Sequence, residues 1–574
     1  MFSGRLVLTL TFLAMGLNSF ISDSALANVS LKNGNFYMAY KDIFYPGGIE
    51  PSWDRTFNSK TGQKGYTGWG WNSAYETYIV KSADGSLMVH EYGGGADNRF
   101  TPLEMSRADI DKAVNSIAVE AQKVGLAPNL AQYKDKLTKD PIFRNEQWEN
   151  FVASGKLQPR QLPVGAQFKS TKFSYQFITK TKDGYVRKWE SGKIELFFEN
   201  GKLMSISDRN NNFIKFAYGK DGHLQSMVDN FNRKMFFTFN KQGLLEKIEG
   251  ENGKTVTYEY YENGDLKKSK DVDNHVYEYM YDKRHNLTQI KYQDGTTLEV
   301  QYYGLDKQEN VKRVKNRDGT VSDYSYEGMG SNHLVVSIAE STGPEGAKTE
   351  NGKYVTRYEY FYKQKADGEE WTSRIISSIY GDVTDTFYDE KCDLPSKIYR
   401  GGSYNATQHT GGELASFTYD MKCHVQRKET PSEITNLQYD AHAGKVSFVE
   451  RFRKRQGSQP QLEIWAKYKY EGSGNLESAQ NSDKKTVALT YDRNGRIKLL
   501  VDQAKRKIIF DYNNQSKPIR ITIPNLGAIT VNYNNSGAVE KVNNPGGEKV
   551  PQMVTAAFEN LADIINPAGV TLSF

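Results

Sequence analysis

The sequence predicts a mainly β protein, built as a long antiparallel sheet of repeated β-hairpins. Three observations carry that expectation. An aromatic residue recurs every 21 positions, at Phe197, Tyr218, Phe239, Tyr260, Tyr281 and Tyr302, and again at Tyr470, Tyr491, Tyr512 and Tyr533. A glycine follows four residues later in most of these units, as at Gly201, Gly222, Gly243, Gly264, Gly474, Gly495 and Gly537. The 574 residues include 37 Tyr and 49 Gly, a composition of strands and tight turns. A repeat of this length marks a supersecondary unit that buries its apolar face only by stacking on its neighbours.

Residues 1–27 read as a signal peptide. Arg5 is followed by an apolar run from Leu6 to Leu17, at about 12 residues too short to span a bilayer. Ala25-Leu26-Ala27 fits a cleavage site after Ala27. No cysteine follows that run and no later stretch is apolar enough to cross a membrane. The mature chain is therefore expected to be exported without a transmembrane segment, to the periplasm, the cell surface or the exterior. Residues 28–102 form a β module with turns at Asn33-Gly34, Pro46-Gly47-Gly48, Asp84-Gly85 and Gly93-Gly94-Gly95. Residues 103–160 form a helical insertion, with Ile110, Val114, Ile117 and Val124 at helical spacing. Residues 168–550 hold the hairpins. Residues 551–574 contain an amphipathic helix with Val554, Ala557, Phe558, Leu561 and Ile565 on one face, stopped by Asn566-Pro567.

Each unit of the repeat follows from turn and strand chemistry. The glycine four residues after the aromatic supplies the positive φ of a hairpin turn. A branched apolar residue comes two later (Leu203, Leu224, Leu245, Leu266, Leu287, Leu476, Ile497, Val539), and often another three beyond (Ile206, Met227, Ile248, Ile290). A polar turn such as Asp208-Arg209-Asn210 then leads into a strand that rises to the next aromatic. The aromatics read as cross-strand packing residues stacked on one face from unit to unit. After Tyr302 the aromatic steps lengthen to 24, 36, 26, 31, 20 and 31 before Tyr470, so this middle should carry extended hairpins or loops.

Several units read Tyr-Asp at the aromatic: Tyr281-Asp282, Tyr388-Asp389, Tyr419-Asp420, Tyr439-Asp440 and Tyr491-Asp492-Arg493-Asn494-Gly495. These resemble the YD-repeat (Rhs-repeat) family over roughly residues 168–545. Asp42-Ile43-Phe44-Tyr45-Pro46, Trp53-Asp54-Arg55-Thr56-Phe57 and Gly65-Tyr66-Thr67-Gly68-Trp69-Gly70-Trp71-Asn72 resemble the module that precedes Rhs repeats. The resemblance implies a sheet that spirals into a shell, which in large relatives encloses a C-terminal toxin released by an Asp-Pro-x-Gly motif. Here the nearest match is Asn566-Pro567-Ala568-Gly569 with five residues after it. An amide cannot do a carboxylate's acid–base work, so neither self-cleavage nor a C-terminal toxin domain is expected. About 30 strands at ~4.8 Å would roll into one open-ended ring about 45 Å across. So wide a ring needs filling, by the module, the insertion or the C-terminal helix.

Other chemistry is sparse. The net charge of +6, from 75 Lys and Arg against 69 Asp and Glu, does not suggest nucleic-acid binding. The two cysteines, Cys392 and Cys423, favour a disulfide in an exported chain, yet equivalent tips of adjacent hairpins stand ~10 Å apart and a disulfide wants its Cα atoms within about 7 Å; leaning tips would close the gap. The eight histidines show no paired metal-ligand spacing. Asp271-Val272-Asp273-Asn274-His275 lacks the glycine and distal glutamate of a calcium loop. Arg451-Phe452-Arg453-Lys454-Arg455 reads as a solvated hairpin tip, or as a protease-sensitive or anion-binding site. With no catalytic constellation, cofactor motif or metal site, the expectation is a non-enzymatic scaffold that binds a protein or glycan; a shell or chaperone for a separately encoded toxin is the alternative.

Overall fold

The computed structural model describes residues 28–565, apart from short segments at 47–48, 93–95, 104–106, 159–160, 173–174, 330–331, 345–348, 366–369, 535–538 and 546. The signal peptide with its cleavage site, Gly47-Gly48, Gly93-Gly94-Gly95, Gly537 and Asn566-Pro567-Ala568-Gly569 lie outside the described residues.

One antiparallel sheet of 36 strands runs from Tyr78–Lys81 to Val539–Asn543, each strand pairing with the next in sequence. Strands Ala96–Pro102 and Gln167–Ser170 pair directly, and three helices are inserted between them: α1 (Arg107–Lys123), α2 (Leu130–Lys139) and α3 (Pro141–Ala153). Asn129 and Asp140 cap α2 and α3, accepting from the Gln132 and Phe143 amides. Ile117, Ala121, Leu137 and Phe151 form their core, whereas Val124 lies past the end of α1 and is exposed. A smaller sheet joins Asn28–Ser30, Asn35–Phe44, Ser52–Asn58 and Trp71–Asn72. The strands from Tyr78 to Pro102 thus belong to the long sheet, not to the first module.

The sheet is a spiral strip, not a closed barrel. No ladder joins its last described strand to its first. Instead the first strand curls back onto a hairpin tip: Tyr78 bridges Lys202, and the Ile79 amide donates to the Gly201 carbonyl at 2.9 Å. A Cβ on Gly201 would stand 1.9 Å from the Ile79 carbonyl, so this close approach demands glycine as well as the turn does. Further along, tips on opposite edges of the strip meet across 234 to 282 residues of sequence. The strip therefore overlaps itself, where one open-ended ring was expected. Roughly twenty strands separate the meeting tips, so a winding is about 95 Å around and about 30 Å across.

Burial alternates along each strand. Ile214 and Phe216, Met235 and Phe237, Val256 and Tyr258 are buried on the inner face, while Lys215, Phe236 and Thr257 between them are exposed. The small sheet covers the inner face of the first winding and shares its core through Trp53, Phe57 and Trp71. Helix α4 (Lys549–Ile565) covers the same face of the second winding, packing Val554, Ala557, Leu561 and Ile564 onto Ala466, Leu489, Phe510 and Ile529. Between these two plugs, inner-face residues such as Tyr324, Tyr326, Tyr358, Ile375 and Phe417 are only partly buried.

Candidate functional site

The repeat aromatics are hydrogen-bonding residues as much as packing ones. Each sits at a β-bulge, where the ladder shifts register by one residue. In most units its phenol reaches back and donates to the carbonyl opposite the previous unit's aromatic: Tyr218 to Leu203 at 2.9 Å, Tyr302 to Leu287 at 3.0 Å, Tyr491 to Leu476, Tyr512 to Ile497 and Tyr533 to Pro518 at 2.8 Å. Tyr260 does the same with Leu245, whereas the Tyr281 phenol instead accepts from Trp71. In the later part of the irregular middle the sequence step changes but the partner rule returns, through Tyr419 to Pro395, Tyr439 to Val425 and Tyr470 to Val446, whereas the Tyr326 phenol is buried without a partner among the described residues. Unit-to-unit stacking was the expectation; the rings stand two strand spacings apart, about 10 Å, and the phenol spans that gap instead. Phe197 and Phe239 lack the donor. At Phe239 the ring of Tyr66 packs edge-on at 5.0 Å. Burial pushes these phenols up, to about 12 at Tyr419, Tyr439 and Tyr533, which keeps them protonated donors.

The N-terminal module is pinned by a buried charge. Arg55 and Asp42 are sealed from solvent and paired at 2.6 Å. Arg55 also donates to Ser269 and Tyr279 of the long sheet, each at 2.8 Å, and Tyr258 donates to Asp42 at 2.6 Å. The guanidinium lies over Tyr40 and Trp71, and Trp71 donates to the Tyr281 phenol at 2.8 Å. Sequence reasoning noted Trp53-Asp54-Arg55 as part of a motif but missed that Arg55 joins two sheets, because Ser269 and Tyr279 lie more than 200 residues away.

Cys392 and Cys423 are bonded, with Cα atoms 5.4 Å apart; the two tips lean together from the regular spacing. Cys423 holds the left-handed turn position (φ 65°) that glycine fills in regular units. Beside it, His424 and Lys422 reach across the overlap to Glu190 at 3.1 and 2.8 Å. The loop 401–411 folds back over the outer face, where the Ala406 carbonyl accepts from Arg374, itself paired with Asp385, and Tyr404 and His333 both meet Glu359. Asp271 caps its own turn through the Asp273 and His275 amides. Among the described residues no group of three His, Cys, Asp or Glu side chains is placed to hold a metal. In the basic run, Arg451 and Arg453 meet Glu463 and Lys454 meets Glu429. No described helix is long and apolar enough to cross a membrane.

A repeat shell with an N-terminal module in its lumen defines a class of protein, and two family models match parts of the chain. Residues 27–98 match a domain of unknown function, DUF6531, and residues 460–551 match the Teneurin YD-shell. Both matches are consistent with a YD-repeat protein. Among solved structures it is similar to TcdB2-TccC3-Cdc42 (12% identity, TM-score 0.44, covering 77% of this chain and 27% of that one). It is also similar to TcdB2-TccC3 without its hypervariable C-terminal region (11%, TM-score 0.42, 91% and 28%). The chain thus spans little more than a quarter of the length of either. No curated protein matches the sequence.

Proposed function

We propose that this chain is an exported, non-enzymatic YD-repeat scaffold whose shell binds a glycan or a protein at the cell envelope or outside the cell. The observation that carries this reading is the way the chain fills its own shell. Its module and α4 occupy the inner face at both ends of the strip, which leaves the polar outer face and hairpin tips as the surface on offer. The disulfide fits an oxidising compartment. The test is binding of the purified mature chain to an array of envelope glycans, together with crosslinking pull-down from the native envelope fraction, with and without residues 551–574. Saturable capture of one glycan class or one protein is expected. A hydrolase activity abolished by a single point mutation overturns the reading.

One observation favours a second reading, a shell or chaperone for a separately encoded toxin. The inner face between the plugs is only partly buried at Tyr324, Tyr358 and Phe417, which leaves apolar surface for a guest segment. Co-purification of a small polypeptide whose crosslinks map to these residues supports that reading over the first.

A further inference from the structure

The disulfide sits where the two windings meet. Cys392 and Cys423 lie on neighbouring hairpin tips, and the strands behind them already form an unbroken ladder from Asp382–Tyr388 to Val425–Glu429. Each turn also closes on its own backbone: the Asp393 amide donates to the Asp389 carbonyl at 2.9 Å, and the Cys423 amide to the Asp420 carbonyl at 3.1 Å. The bond is therefore not needed for strand pairing. What it fixes is the place of the tips, whose Cα atoms stand 5.4 Å apart where regular tips stand about 10 Å apart. Lys422 and His424 flank Cys423, and both reach Glu190, on the tip between Gly184–Lys188 and Ile194–Phe198 of the first winding. Half-exposed ion pairs of this kind contribute little alone, so Glu190 does not hold the tip once the bond is cut. A tip returning to its regular spacing carries Lys422 and His424 away from the first winding. The bond is also within reach of a reductant. Both cysteines are half-buried, and their neighbours Lys391, Asp393, Leu394 and Met421 are exposed. Accessible disulfides are the labile and regulatory ones, in contrast to those sealed in a core.

We propose that Cys392–Cys423 is a reducible latch on the seam, a thiol–disulfide exchange site whose reaction partner is a dithiol. One thiolate of the dithiol attacks one of the two sulfurs. The S–S bond breaks, and the other cysteine leaves as a thiolate and takes up a proton. The dithiol's second sulfur then displaces the first cysteine from the mixed disulfide, so the dithiol ends oxidised and the chain carries two thiols. With the tips parted, Lys422 and His424 leave Glu190 and the second winding loosens from the first at this point. The inference goes beyond the scaffold reading and does not depend on what the shell binds. Treatment of the folded mature chain with dithiothreitol, followed by zero-length carbodiimide coupling and peptide mapping, tests it. In the oxidised chain the carbodiimide should join Lys422 to Glu190, which meet at 2.8 Å, and Lys485 to Asp563, which meet at 2.6 Å where α4 docks. Thiol alkylation should show the bond reduced without denaturant, with the Lys422–Glu190 link lost and the Lys485–Asp563 link kept. A bond that is reduced only when urea unfolds the chain overturns the latch. So does a Lys422–Glu190 link that is absent from the oxidised chain or survives reduction, because the disulfide then does not control the seam. Loss of both links on reduction makes the bond a staple of the second winding's own fold and overturns the latch as well.

Discussion

At the scale of single residues, the repeat aromatic works through its oxygen as well as its ring. The Leu476 carbonyl sits where a bulge has displaced the ladder, and the Tyr491 phenol donates to it at 2.8 Å. Tyr491→Phe keeps the ring and removes the donor, so it should destabilise the chain by about 1 kcal/mol, read as a lower urea midpoint with an unchanged slope. The buried Arg55 is a larger stake. Arg55→Met leaves Asp42 in the core without its partner, and should cost about 3–5 kcal/mol. Adding Asp42→Asn should recover part of that loss, because the stranded charge is gone. Limited proteolysis between residues 28 and 72 reports the outcome; a double variant cleaved faster than Arg55→Met alone would refute the charge argument.

At the scale of elements, the helical insertion is docked by two ionisable contacts with opposite pH dependence. Asp84, on a hairpin tip, meets Arg144 of α3 and Arg99, both at 2.7 Å. Burial pushes this carboxyl up, but Arg99, Ser86 and Arg144 together bring it down to about 2. A depressed carboxyl stabilises above its unfolded pKa, and that contribution, about 2 kcal/mol, is lost as pH falls towards 2. His90 faces Asp97 at 2.7 Å and Glu149 of α3 at 3.8 Å. Burial pushes it down, and the two carboxylates more than reverse this, to about 9. A raised histidine stabilises fully below its unfolded pKa, and the gain disappears as pH rises through 9. Hydrogen exchange within 107–153 should therefore be slowest near pH 4–6 after correction for intrinsic rates, and His90→Gln should flatten its alkaline limb. None of this docking was legible in the sequence. Ile110, Val114 and Ile117 announced α1 by their spacing, as Val554, Ala557 and Leu561 announced α4, because periodicity is local. The hairpins were legible for the same reason: Gly201 and its equivalents mark turns whatever lies around them. The partners of Asp84, Arg55 and the repeat phenols are set by which strands the strip brings together, and a single sequence does not encode that as a pattern.

At the scale of the whole molecule, the two windings are unequal partners joined by a polar seam. Each has its own apolar core, one sealed by the N-terminal module and the other by α4. Across the seam the contacts are amides and ion pairs, such as Asn210 with Asn475 at 3.2 Å, the Asn212 amide donating to the Asn494 carbonyl at 3.0 Å, and Glu190 with Lys422 and His424. Such exposed or half-exposed contacts contribute little individually, so the coupling between the windings should be weaker than the cohesion within either. In a repeat strip whose units contact mainly their neighbours, weak coupling lets one part open before the other. Calorimetry of the mature chain should then resolve two unfolding steps. Removing residues 549–574 uncovers Ala466, Leu489, Phe510 and Ile529, and should lower one step by many degrees while leaving the other in place. Reduction of the Cys392–Cys423 bond, which closes a 31-residue separation and by chain entropy contributes about 3–4 kcal/mol, should act on the same step, because the tips it joins belong to the second winding. A single transition that shifts as a whole under both treatments would mean that the seam couples the windings as tightly as a core does.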